Sequence, residues 1–165
     1  MMTENSPYTE AVDTHNAFEE EIESEIQARA RNKDSKFSFF LTAYLAELGI
    51  VKFLRHQKGF QIYLVDANWI RDNLDVTFGH GGSGMTYPFI GLNEVWVSDK
   101  HSRCICVNIQ EGQAVSQQFL DSTILHEIVE CEEMKTGKRY WEAHLIASKA
   151  EIDLGLLKDP YREID

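Results

Sequence analysis

A chain of 165 residues, 43% hydrophobic, 11% aromatic and 26% charged, can bury roughly 70% of its unfolded surface as one domain. That excludes a disulfide-dependent miniprotein, a fibrous repeat and wholesale disorder. Its 16 Lys+Arg against 27 Asp+Glu give a net charge of −11, the wrong sign for tracking nucleic-acid phosphates or an anionic membrane surface.

Residues 1–15 read as a flexible acidic tail, with no basic segment ahead of an apolar run as a secretory signal requires. No apolar run reaches the ~18 residues of a membrane span. Cys104, Cys106 and Cys131 are odd in number and form no CxxC pair, the usage of a reducing compartment. A single globular cytoplasmic domain over residues 16–165 is therefore expected, with neither nucleic acid nor membrane as partner.

In chain order, Phe18 to Asn32 reads as a helix with acids early and arginines late, as the helix dipole favours. A second helix runs from an N-cap at Ser35 to a C-cap at Gly49, with Phe37, Phe39, Phe40, Tyr44, Leu45 and Leu48 expected in the core. IVKFLR and FQIYLV around HQKG have the composition of a β-hairpin, and a short helix follows at Ala67 to Leu74. Val76 to Gly91 contains five glycines and is expected to be a long loop bordering a site. EVWVS and CICVNI read as two further strands joined by DKHSR, with Cys104 and Cys106 buried as small hydrophobes. The expected fold class is α+β: N-terminal helices, a small antiparallel sheet of about four strands, and a C-terminal antiparallel helix hairpin.

The hairpin carries the chemistry. Its first helix, about Ser122 to Thr136, places Ile124, Leu125, Ile128, Val129, Cys131 and Met134 on one arc and His126, Glu130 and Glu133 opposite. His126 and Glu130 stand at i and i+4, the spacing by which an HExxH helix presents two ligands to zinc. The second helix, about Tyr140 to Leu154, gathers Tyr140, Ala143, Ala147, Ala150 and Leu154 on one face, with His144 and Glu151 within or beside it. An alanine stripe permits close helix approach, and a carboxylate buried there needs a compensating ion, a protein cation or water.

The string from Leu125 to Glu151 resembles a minimal gluzincin-type metallopeptidase core, in which a helix carrying HE is followed by one carrying a further acidic ligand. The resemblance implies zinc or another divalent metal held by His126, Glu130 and Glu151, with His144 as competing third ligand, and Glu127 as general base. Glu130 replaces the second histidine of HExxH, which leaves iron or manganese open beside zinc. NEVWVS would correspond to the strand lining the cleft. His80, among four glycines, is a candidate for steadying a developing oxyanion. The function expected is metal-dependent hydrolysis of a peptide or amide bond, with a peptide or protein as substrate. The alternative is a non-catalytic acidic interaction protein in which the same His and Glu residues form a structural network.

Overall fold

The computed structural model describes residues 35–101 and 112–155. The expected tail, the helix at Phe18 to Asn32 and the CICVNI strand with Cys104 and Cys106 lie outside these residues. The described elements are α1 (Ser35–Glu47), β1 (Val51–Gln57), β2 (Phe60–Val65), α2 (Ala67–Asn73), β3 (Gly81–Ser83), β4 (Glu94–Val97), α3 (Gln117–Lys135) and α4 (Tyr140–Asp153). The strands form one sheet in the order β1-β2-β4-β3, and the fold is α+β with a C-terminal helix hairpin. Among the described residues no helix is long and apolar enough to cross a membrane.

The β1–β2 hairpin closes between Gln57 and Phe60. Its two-residue turn, Lys58 and Gly59, has positive φ at both positions (49° and 83°), the turn whose twist matches the flanking strands. The rest of the sheet departs from expectation, because β2 and β4 are parallel, so the sheet is mixed rather than wholly antiparallel. The reason lies in the connection. Asp66 caps α2 by accepting from the Trp69 backbone N–H, and the chain crosses one face of the sheet before re-entering, as parallel pairing requires.

The glycine-rich stretch is also more ordered than its composition implies. It contributes β3, which pairs antiparallel with β4 from Gly81↔Val97 to Ser83↔Val95 and forms an edge of the sheet. Close approach explains the glycines: a Cβ on Gly82 would lie 2.6 Å from the Tyr87 ring, and one on Gly84 2.3 Å from the Gly91 carbonyl oxygen. Glu94 ties the end of the loop to α1: its Oε1 accepts from the Gly91 N–H at 3.4 Å and from Thr42 Oγ1 of α1 and Trp96 Nε1, each at 3.0 Å.

Side chains of the central strand β4 alternate between two cores, as the period of a strand dictates. Trp96 packs with Leu45, Val51, Val65 and Ile70 beneath α1 and α2. Val95 and Val97 pack with Ile62 and with Leu120, Ile124, Ile128 and Cys131 of α3. The expectation for α1 needs correction: Leu45 is fully buried, but Phe37, Phe39, Phe40, Tyr44 and Leu48 are all more than half exposed. Among the α1 side chains described, from Phe37 to Glu47, only Ser38, Thr42 and Leu45 are buried, because this part of α1 meets the sheet along a single narrow seam.

Candidate metal centre

α3 begins five residues before the expected position. Ser116 caps it by accepting from the Phe119 N–H at 3.1 Å, and Thr136 followed by Gly137 at φ 102° closes it. Leu120, Ile124, Ile128 and Cys131 repeat at helical spacing against the sheet. Ser122, His126 and Glu130 repeat at four-residue steps on another face, where α4 packs. Ala143 and Ala147 of α4 are fully buried, and side chains this small let the two helices close on each other. The His/Glu face of α3 is consequently not a solvated surface: Glu130 is 3% exposed.

Three donor atoms converge between the helices. His126 Nε2 lies 3.0 Å from Glu130 Oε2, His144 Nδ1 lies 2.9 Å from the same oxygen, and the two nitrogens are 3.2 Å apart. Bonds of ~2.05 Å in a tetrahedral zinc site separate neighbouring donors by about 3.3 Å, so this triangle is within a few tenths of an ångström of one tetrahedral face. His126, Glu130 and His144 thus form a set that can hold a metal ion.

Glu151 stands on the other side of the imidazole. Its Oε2 is 3.0 Å from His126 Nδ1, and its Oε1 accepts from Ser122 Oγ at 2.7 Å. The structure therefore brings all four expected ligand residues together but divides them, three donors facing one point and Glu151 facing the far nitrogen of His126. Trp141 stacks on His144 at 5.6 Å with 18° between the rings.

Charge sharpens the arrangement. Glu127, Glu130 and Glu151 surround His126, and among the described residues no lysine or arginine pairs with any of the three. Burial alone would lower the His126 pKa, but hydrogen bonds to Glu130 and Glu151, with the charges of Glu130 and Glu127, outweigh it and raise it to about 11. Burial would likewise raise Glu130, yet hydrogen bonds from His126 and His144 hold it below the usual carboxylate range. The protein alone thus meets the excess of negative charge by keeping a proton on His126. A cation at the donor triangle would meet the same need.

Glu127 is buried beside this cluster against β3. A Cβ on Gly81 would lie 3.0 Å from both Glu127 Cγ and Oε1 and 3.1 Å from Thr123 Cγ2. Burial, and then repulsion from Glu130, push the Glu127 carboxyl up to about 8, the range of a group that exchanges a proton near neutral pH. The strand expected to line the cleft, NEVWVS, is the central and fully buried β4; the strand beside Glu127 is β3.

His80 occupies a different place. Its ring packs edge-on against Phe119 at 5.1 Å and His101 at 5.8 Å, and Phe119 lies about 10 Å from His126 along α3 at 1.5 Å per residue. Burial, followed by the charges of His101 and Arg71, lowers the His80 pKa to about 4, so it is neutral at pH 7. Sequence reasoning missed Ser122 and Gly81. Ser122 precedes His126 by one helical turn, a signal that was present; Gly81 became meaningful only through its contact with Glu127. Comparison of the chain with protein-family models, with curated proteins and with solved structures finds no match.

Proposed function

We propose that the protein is a metal-dependent hydrolase of peptide or amide bonds. The observation that carries this reading is the convergence of His126 Nε2, Glu130 Oε2 and His144 Nδ1 at 2.9–3.2 Å, with the buried carboxyl of Glu127 on the same helix. Two imidazoles and one carboxylate suit zinc or another divalent ion, which when bound supplies Lewis acidity toward water and a carbonyl group. In this reading Glu127 takes the proton of the attacking water and returns it to the leaving amine; a cation at the donor triangle would offset the Glu130 repulsion and favour the ionised form of Glu127 that accepts a proton.

Metal content after exhaustive dialysis tests the proposal. Wild type should retain about one equivalent, and His126→Ala, Glu130→Ala and His144→Ala should each lose it; a mixed peptide library should be cleaved only by the loaded wild type. Absence of retained metal in the wild type would sink the idea. A second reading, a non-catalytic protein whose His and Glu residues form a structural network, is supported by the same distances, which also suit charge-assisted hydrogen bonds. In that case Glu127→Gln leaves the biological role intact.

A further inference from the structure

We infer that Glu151 is a positioning residue for His126 rather than a ligand, and that Ser122 in turn positions Glu151. The inference rests on the metal-site reading above and assigns the acid that the gluzincin resemblance would make a ligand to a different task. Both oxygens of Glu151 are engaged: Oε2 with His126 Nδ1 at 3.0 Å and Oε1 with the hydroxyl of Ser122 at 2.7 Å. Ser122 is fully buried, so its hydroxyl has no water to turn to, and it sits one helical turn before His126 on the same helix. The carboxylate from α4 is thus held at one end by α3 and aimed at α3 with the other.

A carboxylate facing Nδ1 selects the tautomer with hydrogen on that nitrogen. Nδ1–H donates to Glu151, and the lone pair of Nε2 is directed at the point shared with Glu130 Oε2 and His144 Nδ1. It also stops the ring from flipping, which would exchange the two nitrogens, and strengthens the imidazole as a donor. His144 has a different support, the stacked ring of Trp141. The two histidines are therefore held by different means, one by a hydrogen-bonded carboxylate and the other by an aromatic face.

The test measures zinc affinity by chelator competition, the visible spectrum of the cobalt(II)-loaded protein, and the imidazole nitrogen shifts of His126 in the zinc-loaded protein. Glu151→Ala should weaken zinc binding 10- to 100-fold while leaving the cobalt coordination bands in place. Glu151→Gln, whose amide oxygen still accepts from Nδ1–H, should recover part of that loss. Ser122→Ala, a one-atom change that spares the fold, should weaken binding less, in the same direction. In each variant that binds more weakly, the His126 Nδ1 and its proton should move away from their hydrogen-bonded shifts while Nε2 keeps its metal-bound shift, which a merely structural role would not produce. Unchanged affinity in Glu151→Ala, or a cobalt spectrum that loses a ligand, would overturn this inference alone. A wild-type protein that binds neither zinc nor cobalt would overturn the metal-site reading and this inference with it.

Discussion

Replacing Gly81 by alanine adds one methyl group at the contact between the edge strand and Glu127. The backbone at Gly81 lies outside the left-handed region, so alanine brings no conformational strain there; what it brings is a Cβ 3.0 Å from Glu127 Cγ and Oε1 and 3.1 Å from Thr123 Cγ2. Contacts of 3.0–3.1 Å are tighter than the roughly 3.5–4.0 Å that carbon atoms prefer, so either the strand or the carboxylate must give way by a few tenths of an ångström. Overpacking of this kind costs roughly 1–3 kcal/mol, which in a chain of this size lowers Tm by about 2–4 °C per kcal/mol. Calorimetry of Gly81→Ala should therefore show a fall of roughly 4–8 °C for a cost near 2 kcal/mol. Gly79→Ala, with no atom within 4 Å of its Cβ, should lie within about 0.5 kcal/mol of wild type. A double-mutant cycle identifies the colliding partner: in a Glu127→Ala background the cost of the methyl group should shrink to the remainder owed to Thr123. Equal costs in the two backgrounds would refute the collision with Glu127. A misplacement near 1 Å at a reacting group can cost about 100-fold in rate, so under the proposed function a shift of a few tenths of an ångström should lower peptide hydrolysis by less than that, with metal content unchanged.

Glu127→Gln should keep its metal, since it alters no donor of the triangle, yet lose hydrolysis by roughly 10²- to 10⁴-fold; full activity in the loaded variant would remove Glu127 from the chemistry. Glu94→Ala strips an acceptor from Thr42 Oγ1 and Trp96 Nε1 together and should cost about 2–4 kcal/mol in urea titration, with Glu94→Gln costing less; equal stability of Glu94→Ala and wild type would deny Glu94 its place as the loop's fastening. For pH, the His80 pKa is lowered from 6.5 to about 4 by burial first and then by His101 and Arg71, so the unfolded chain binds the proton more readily. The stability it contributes is complete above pH 6.5 and is lost as pH falls toward 4, with a slope of up to roughly 1.4 kcal/mol per pH unit. His80→Phe should flatten the stability profile in that window, and parallel curves for the two proteins would contradict the assignment.

Much of the C-terminal half was legible in the residues alone. The four-residue step from His126 to Glu130, the alanines of the second helix, and Gly137 and Gly155 at the helix ends are local signals, and local geometry at 3.6 residues per turn is the same in any fold. The positions of α1, the β1–β2 hairpin and α2 were readable for the same reason. What escaped depends on contacts distant in the chain. Gly81–Ser83 has no intrinsic preference for a strand; it is one because Val95 to Val97 lie beside it, and its glycines leave room for Glu127 beside Gly81 and for the Tyr87 ring beside Gly82. The parallel pairing of β2 with β4, and the exposure of most of the α1 aromatics, follow from how α1 and α2 lie on the sheet, which hydrophobicity does not encode. The division of labour among the site residues is of the same kind. His144 and Glu151 share a helix face two turns, or about 10 Å, apart, so a helical wheel ranks them equally. Only the height at which α4 docks against α3 decides that His144 meets the Nε2 side of His126 and Glu151 the Nδ1 side. Spacing along a helix places side chains on a face; which atoms meet across an interface is settled by the packing of the two helices.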